Sequence, residues 1–439
     1  MTLRFGTDGV RGVALTELTP SFAARLGRAA AEVVGTGRWI IGRDTRESGP
    51  VLEAAVAAGL RAAGAEPVSA GVLPTPALAW LSQTLGVPAA MITASHNPWT
   101  DNGVKVFAAG GLKLGDDVEE AIEAALHDGR PDVVTGSGDD AAPVPSIEGS
   151  EPYVRHMVES NDRLDGMHVV LDAAHGAMHR VAPTVFAMLG ATVDVIHDRP
   201  DGRNINDACG ATHTERLRAE VVRRGADLGL AFDGDGDRVI AVDHLGRVVD
   251  GDRLIALAAL HLREHGRLRH DTVVVTVMSN LGFHRAMAAA GIRVVTTAVG
   301  DRYVLEALDA GGYSVGGEQS GHVVYRDLAT TGDGLLAGLQ LAAFVHEHHE
   351  PLATVASSVM TSFPQVLVNV TVAERHPRAA EELAAEIAEA EALLGAAGRI
   401  LVRASGTEPL IRVMVEASTD AEARSVADTL AGHVRARFG

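Results

Sequence analysis

Three aspartates spaced two residues apart form the sharpest chemical signal in the sequence. Asp233, Asp235 and Asp237 alternate with glycine directly after a predicted apolar strand. Glycine lets the backbone curl so that the carboxylates converge, and such a cluster repels itself unless a hard cation neutralises it. Mg²⁺ suits this role, because it takes oxygen ligands and keeps positions open for water or phosphate. An EF-hand is excluded, since its sixth and twelfth positions would be Arg238 and His244. A solvated acidic turn is the alternative.

A second candidate is Ser95, which follows the predicted strand 89–93 and precedes His96. A serine beside a histidine could act as a nucleophile. The Gly-x-Ser-x-Gly pattern of hydrolases does not surround it, and a turn-capping serine is the alternative. Lys105 lies further along, in a predicted loop, and is one of only two lysines in the chain. We expect it to transfer protons, with help from His96.

The run Gly316–His322 places a carboxylate, an amide and a hydroxyl in a glycine-rich turn. Hydrogen-bonding groups at this density, Glu318 and Ser320 among them, suit a sugar better than an apolar ligand. An ordinary turn explains the pattern equally well.

A second polar turn, Arg403–Pro409, lies between two predicted strands and is followed by Arg412. Backbone N–H groups around Ser405, Gly406 and Thr407 can cradle a phosphate, and arginine adds charge-assisted hydrogen bonds. A plain hairpin turn is the alternative. The chain contains no Gly-Lys dipeptide, so a nucleotide-binding P-loop is excluded.

The polar, glycine-rich segment Phe5–Gly12 lies close to the N-terminus, where a frayed end is the default. Arg11 could instead steady a phosphoryl group. The sequence does not choose between the two.

The composition indicates a globular protein, with 46% hydrophobic and 22% charged residues among 439. A net charge of −19 argues against a nucleic-acid partner. The apolar stretches fall short of the ~20 residues that a membrane-spanning helix needs, and the first residues lack the apolar core of a signal peptide. We therefore expect a cytoplasmic protein without membrane contact. Cys209 is the single cysteine and has no basic neighbour, so we expect it to be structural.

Short β-branched runs alternate with amphipathic helices, which predicts an α/β fold. The pattern starts three times and indicates three related α/β units. A small α+β tail follows, with strands at 366–370, 399–403 and 411–417 and helices at 377–394 and 420–437. We predict domains at 1–152, 153–252, 253–364 and 365–439, with a Gly/Asp/Pro-rich linker at 135–152.

In their order along the chain, the five motifs together resemble the α-D-phosphohexomutase superfamily from Phe5 to Arg412. Finer features resemble its phosphoglucosamine mutase branch: Gly317–His322 with glutamine at its centre, Val299–Val304, and Asn204–Asn206 leading to Cys209. The resemblance implies four domains around a central cleft. It also implies an isomerase that interconverts glucosamine 6-phosphate and glucosamine 1-phosphate through a phosphoserine and a 1,6-bisphosphate. Amino-sugar nucleotide synthesis would use the product.

The resemblance also implies roles for single residues. Ser95 would carry the phosphoryl group and, with Asp233, Asp235 and Asp237, hold one Mg²⁺ per active site. The substrate ligands that it implies are Glu318, Ser320, Arg238, Arg403, Ser405, Gly406, Thr407 and Arg412. Hexosamine phosphates would be the small-molecule partners, a sugar 1,6-bisphosphate the activator and a homodimer the assembly.

Two other functions stay open at this point. The same site could serve a phosphomannomutase or phosphoglucomutase of the superfamily. A non-catalytic sugar-phosphate sensor on this fold is the second, and the presence of Ser95, the three aspartates and Lys105 weighs against it.

Overall fold

The computed structural model describes residues 3–6, 8–126, 133, 143–405 and 409–439. The chain forms two compact units, one of Met1–Met278 with Arg293–Ser357 and one of Ser279–Ile292 with Ser358–Gly439. Among the described residues, no helix combines the length and the apolar character needed to cross a membrane.

The first sheet of the larger unit carries the serine loop. Its strands are β1 (Phe5–Gly6), β2 (Gly9–Val13), β3 (Arg38–Arg43), β4 (Glu66–Val72), β5 (Ala89–Ile92), β6 (Asp101–Ala108) and β7 (Leu112–Lys113). They lie in the order β1-β2-β6-β5-β3-β4, with β7 beside β6. The helices are α1 (Pro20–Val34), α2 (Gly49–Ala62), α3 (Thr75–Leu85) and α4 (Asp116–Leu126). Thr19 caps α1, and its hydroxyl accepts from the Phe22 amide.

One local prediction is wrong in this sheet. Residues 101–105 are not a loop, because they lie in β6, which pairs antiparallel with both β5 and β2. Of the two alternatives left open for the N-terminal segment, β2 excludes the frayed end, since it is hydrogen-bonded to β6. Strand β6 is buried along most of its length, so Lys105 is fixed in the sheet.

The second sheet carries the acidic loop. Its elements are α5 (Ser150–Glu159), β8 (His168–Asp172), α6 (Met178–Met188), β9 (Thr192–Ile196), α7 (Glu215–Arg224), β10 (Leu228–Phe232), β11 (Val239–Asp243) and β12 (Val248–Val249). The strand order is β12-β11-β10-β8-β9. Much of the predicted linker at 135–152 lies outside the described residues. Its last residues are ordered, because Ser146 bridges to Ser69 and α5 begins at Ser150.

The third sheet carries the predicted sugar turn. Its elements are α8 (Gly251–Glu264), β13 (Thr272–Thr276), β14 (Arg293–Thr297), α10 (Asp301–Gly311), β15 (Val315–Gly317), β16 (Val323–Tyr325), α11 (Gly334–His348) and α12 (Leu352–Val359). The strand order is β14-β13-β15-β16. The helix α9 (Leu281–Ala289), which follows β13 in the chain, belongs to the second compact unit.

The second unit is a small α+β domain. It contains β17 (Gln365–Thr371), α13 (Ala379–Glu382), α14 (Ala384–Leu394), β18 (Arg399–Ala404), β19 (Leu410–Glu416) and α15 (Asp420–Phe438). The antiparallel sheet has the order β17-β19-β18. The single helix predicted at 377–394 is interrupted at Leu383, which leaves helical geometry with ψ near 15°. The predicted fold class, three related α/β sheets and a small α+β domain, is confirmed.

Candidate active site

The serine hydroxyl and the acidic loop, distant in sequence, meet in the first unit. Ser95 follows β5, is fully buried and has a left-handed backbone with φ of 52°. Its Oγ donates a hydrogen bond of 2.6 Å to Oδ2 of Asp233. A non-glycine residue in this conformation is uncommon, and such strain concentrates at functional sites. The structure therefore holds the hydroxyl against the carboxylates.

A buried arginine that the sequence analysis missed fixes this serine. The Arg46 guanidinium donates 2.9 Å to the Ser95 carbonyl oxygen and 2.8 Å to the Asn97 carbonyl oxygen. Its Nε donates 2.9 Å to Oδ2 of Asp44, which balances the buried charge. From the second sheet, the Asn206 side chain also donates 2.8 Å to the Ser95 carbonyl oxygen. Hydrogen bonds from two side chains, Arg46 and Asn206, thus fix the backbone of Ser95.

Glycine between the aspartates allows this close approach. A Cβ at Gly234 would lie 2.6 Å from the Ser95 carbonyl oxygen and 2.8 Å from Nδ2 of Asn206. Gly236 has a φ of 73°, and a Cβ there would lie 2.6 Å from Cε of Met178. The first glycine therefore lets two loops touch, and the second lets the acidic loop turn.

The aspartates have the donor set of a hard-cation site. Oxygens of Asp233, Asp235 and Asp237 lie within 4.8 Å of one another, and all three residues are buried. Within the described part of the chain, Oδ1 of Asp235 and Oδ1 of Asp237 have no hydrogen-bond partner although they are buried. Burial and then repulsion from Asp237 and Asp235 raise the pKa of Asp233. Unsatisfied oxygens and mutual repulsion are what a bound Mg²⁺ would relieve.

Lys105 lies against the acidic loop. Its Nζ lies 2.8 Å from Oδ2 of Asp235, 3.0 Å from Oδ2 of Asp237 and 2.8 Å from Oδ2 of Asp8. Burial alone would lower the pKa of Lys105, but these carboxylates raise it well above its ordinary value. Thr75 donates a further 2.6 Å bond to Asp235. Lys105 is therefore part of the site, as predicted, although it reaches it from a strand.

His96 and Arg11 are also near the serine. Nδ1 of His96 lies 3.4 Å from the Ser95 Oγ. Burial, and after it the charges of Arg238 and Arg11, lower the pKa of His96 to about 4. Arg11 itself donates 2.6 Å to Oδ2 of Asp8. His96 is thus neutral near pH 7 and lies among cations that an anionic substrate would meet.

The predicted sugar turn is the hairpin between β15 and β16, and it packs on the start of β11. The Val239 amide donates 3.1 Å to the Gly321 carbonyl oxygen. Oε1 of Glu318 accepts from the Gly300 amide at 3.1 Å, and Ser320 is exposed beside it, with Oγ 3.5 Å from Oε2 of Glu318. Burial would lower the pKa of Arg238, but Asp237, Asp233 and then Glu318 raise it. Arg238 therefore connects the turn with the acidic loop.

Four further charged residues that the sequence analysis did not assign extend the site. Lys113 donates 2.7 Å to Oδ1 of Asp8 and also contacts Asp301. The buried ring of His322 lies between Asp237, at 3.8 Å, and Asp301, at 3.6 Å. The chain has only two lysines, so composition alone could have drawn attention to Lys113. That both lysines contact Asp8 is visible only in the structure. The carboxylates and the ring, however, come from separate parts of the sequence.

The predicted phosphate turn lies in the second unit, between β18 and β19. Arg403 pairs with Arg412 across the two strands, and the Ser405 amide donates 2.9 Å to the Leu410 carbonyl oxygen. Burial first, and Arg412 second, lower the pKa of Arg403. Two guanidinium groups directly opposed in a sheet repel each other, which an anion would relieve. Gly406 and Thr407 lie outside the described residues.

Cys209 has the buried, inert environment expected of a structural cysteine. Its side chain is fully buried, and burial followed by the charge of Asp172 raises its pKa to about 12. A thiol in this state is a poor nucleophile.

Comparison with known proteins agrees with this geometry. Four domains of phosphoglucomutase/phosphomannomutase match the chain: α/β/α domain I at residues 2–131, domain II at 151–246, domain III at 250–363 and the C-terminal domain at 367–433. The chain belongs to the phosphoglucomutase/phosphomannomutase family. A solved structure of a family protein from Burkholderia thailandensis is similar in fold, with a TM-score of 0.81, 24% identity and coverage of 98% of this chain and 97% of that one.

Relatives within the family carry a more specific name. Proteins called phosphoglucosamine mutase from Streptomyces avermitilis and Nocardia farcinica are 53% and 52% identical, covering 99% and 97% of this chain and 99% and 98% of theirs. The predicted branch of the superfamily and the predicted enzyme class, an isomerase that transfers a phosphoryl group within its substrate, are thereby confirmed. A structure of Aspergillus fumigatus N-acetylphosphoglucosamine mutase with GlcNAc-6P and magnesium has a TM-score of 0.70 at 19% identity, covering 100% and 96% of the two chains.

Proposed function

We propose that this chain interconverts glucosamine 6-phosphate and glucosamine 1-phosphate, with Ser95 as the residue that carries the phosphoryl group. The observation that supports this is the 2.6 Å contact between the Ser95 Oγ and Asp233 at a buried triad of carboxylates. The choice of substrate in this proposal follows the name of the relatives, phosphoglucosamine mutase.

In the first half-reaction, the bond between phosphorus and the Ser95 Oγ breaks, and a bond forms to the C1 hydroxyl oxygen of glucosamine 6-phosphate. The hydroxyl loses its proton, and the product is the 1,6-bisphosphate. After the intermediate turns around, the 6-phosphoryl group returns to Ser95, the C6 oxygen regains a proton, and glucosamine 1-phosphate leaves. Phosphoryl transfer depends mostly on positioning and charge neutralisation. Lys105 and His96 are the groups we propose to hold and move the proton, because His96 lies beside the Ser95 Oγ and Lys105 contacts two aspartates of the acidic loop.

Asp233, Asp235 and Asp237, with the Ser95 oxygen, are the residues we propose to hold Mg²⁺. When bound, the ion would neutralise charge on the transferring phosphoryl group. Support comes from the two buried oxygens without partners and from the magnesium in the Aspergillus fumigatus structure.

In this proposal, the remaining residues bind different parts of the substrate. Glu318 and Ser320 bind sugar hydroxyls, and Arg11 and Arg238 face the reacting phosphoryl group. The phosphate that is not reacting would be held by Arg403, Ser405, Gly406, Thr407 and Arg412. A turn that binds either end of the sugar explains how one site can act on both positions. The sugar 1,6-bisphosphate activator, the homodimer and the cytoplasmic location stay predictions.

The test is a coupled assay on glucosamine 6-phosphate with and without Mg²⁺. We expect Mg²⁺-dependent turnover that Ser95→Ala abolishes while the fold is retained, and a phosphate adduct in the intact mass that this variant lacks. Ser425→Ala, a change at an exposed serine of α15, serves as the matched control. Full activity of Ser95→Ala would refute the scheme. Faster turnover of glucose or mannose 6-phosphate in the same assay would favour the phosphoglucomutase or phosphomannomutase alternative.

A further inference from the structure

Two histidines and a glutamate meet at the C-terminal ends of α8 and α11, away from the candidate active site. His261 and His265 are four residues apart at the end of α8, so they share one helix face. Nε2 of His265 lies 3.3 Å from Oε1 of Glu347, and Nδ1 of His261 lies 3.8 Å from Oε2 of the same residue. The three ligand atoms lie within 4.8 Å of one another.

The hydrogen bond of the His265 ring leaves its other nitrogen facing the Glu347 carboxylate. Nδ1 of His265 lies 2.9 Å from the His261 carbonyl oxygen. A carbonyl oxygen can only accept, so Nδ1 carries a proton, and Nε2 is the ring nitrogen left to bind a metal on the side of Glu347. Metal-bound histidines are oriented in the same way, by a hydrogen bond from the other ring nitrogen. A metal ion between Nε2 of His265 and the Glu347 carboxylate would bind both groups.

His261 supplies a second, independent observation. The residue is only 7% exposed, and within the described part of the chain its Nδ1 has no hydrogen-bond partner. Its Nδ1 lies 3.8 Å from Oε2 of Glu347, too far for a hydrogen bond but on the side of the ring that faces the carboxylate. A buried, unsatisfied ring nitrogen aimed at a carboxylate is otherwise unfavourable.

We propose that His261, His265 and Glu347 bind a divalent transition-metal ion, with Zn²⁺ the best match. Two imidazoles and one carboxylate are a common Zn²⁺ ligand set, with a fourth position left for water. Ligand atoms at ~2.0–2.2 Å from one tetrahedral ion are ~3.3–3.6 Å apart, and the two measured separations, 3.3 and 3.8 Å, are close to this. Imidazole nitrogens do not suit Mg²⁺, so the site is chemically distinct from the aspartate triad.

The ion would join two helices that begin at the candidate active site. A Cβ at Gly251, the first residue of α8, would lie 2.2 Å from the Glu318 carbonyl oxygen, so this helix begins against the sugar turn. At the start of α11, the Gly334 amide donates 3.0 Å to the Gly236 carbonyl oxygen of the acidic loop. A metal at the opposite ends of these helices would restrain the spacing of the two loops.

A surface ion pair between His265 and Glu347 is the competing explanation. Nε2 of His348 lies 3.2 Å from Oε2 of Glu264, and burial followed by neighbouring charges, that of Arg267 among them, lowers the pKa of His261. An ion pair would bind no Zn²⁺, so metal binding separates the two explanations.

The experiment is a calorimetric titration of the full chain with Zn²⁺ in excess Mg²⁺, which occupies the aspartate triad. We expect one Zn²⁺ per chain and at least tenfold weaker binding in His265→Ala and in Glu347→Gln. Both side chains are well exposed, at 38% and 51%, so the fold should tolerate the changes. His433→Ala, at an exposed position of α15, is the matched control and should bind as the wild type does.

A second measurement uses thermal unfolding of the same proteins. Zn²⁺ should raise the unfolding temperature of the wild type and of His433→Ala but not that of His265→Ala, because an ion stabilises only the state that binds it. Equal Zn²⁺ affinity, or an equal rise in unfolding temperature, in His265→Ala and the wild type would overturn the proposal.

Discussion

At Gly234, one added methyl group should impair catalysis strongly while the protein still folds. A Cβ there would lie 2.6 Å from the Ser95 carbonyl oxygen, and ordinary contact needs about 3.4 Å, so the two loops would have to open by roughly 0.8 Å. The neighbours are the Ser95 backbone, the Asn206 amide and, at 2.8 Å, Cδ1 of Ile205, and both side chains are buried and have little room to move. Overpacking of this kind costs ~1–3 kcal/mol of stability. A misplacement of ~1 Å at a reacting centre can cost ~10²-fold in rate.

We therefore expect Gly234→Ala to lower kcat about 100-fold, with a free energy of unfolding reduced by ~1–3 kcal/mol. The coupled assay on glucosamine 6-phosphate gives the rate, and urea unfolding gives the stability. Gly432→Ala is the matched control: a Cβ there meets no atom within 4 Å, and alanine in a helix should stabilise by up to ~1 kcal/mol. Unchanged kcat in Gly234→Ala would refute the claim that the acidic loop and the serine must touch.

Three further predictions concern buried charges. Burial raises the pKa of Asp333, which accepts from Tyr153, from an ordinary 3.8 to about 6. The unfolded chain ionises this group first, so its contribution to the free energy of unfolding should fall by about 3 kcal/mol as pH rises from about 4 to about 6. Asp333→Asn should remove that slope in urea unfolding at several pH values, and a wild-type-minus-variant difference that is independent of pH would contradict this. Arg46→Met should cost ~3–5 kcal/mol because it leaves Asp44 buried without its partner; a loss under ~1 kcal/mol in urea unfolding would speak against that account. Asp235→Asn should abolish the Mg²⁺-dependent rate in the coupled assay, and a rate unaffected by chelator would remove the metal from the mechanism.

Much of the site could be read from short stretches of sequence, because the chemistry of each motif is local. Alternating glycine and aspartate after an apolar strand indicates a cation site wherever the strand lies. Ser95 stood out for the same reason, since it follows a predicted strand and has a histidine directly beside it. Arg46 and Asp8 did not stand out in the sequence, because their importance comes from partners far away in the chain. Arg46 contacts carbonyl oxygens some fifty residues later, and no local pattern encodes that pairing.

The secondary structure shows the same difference between what local sequence determines and what distant contacts determine. Periodicity and capping residues determined most helices and strands, and Thr19 at the start of α1 is an example. Strand β6 was mistaken for a loop because its asparagine and glycine are poor strand formers. Pairing with β5 on one side and β2 on the other overrides that local preference.

The sequence by itself determined which groups are present: a nucleophilic serine, a triad of carboxylates, a polar turn and a basic turn. Only the tertiary structure decided that the Ser95 hydroxyl contacts Asp233, 138 residues away, and that Lys105 neutralises the carboxylates beside it. The physical reason is that the energy of these contacts depends on distance and burial in three dimensions, whereas spacing along the chain fixes only neighbours within a helix turn or a strand.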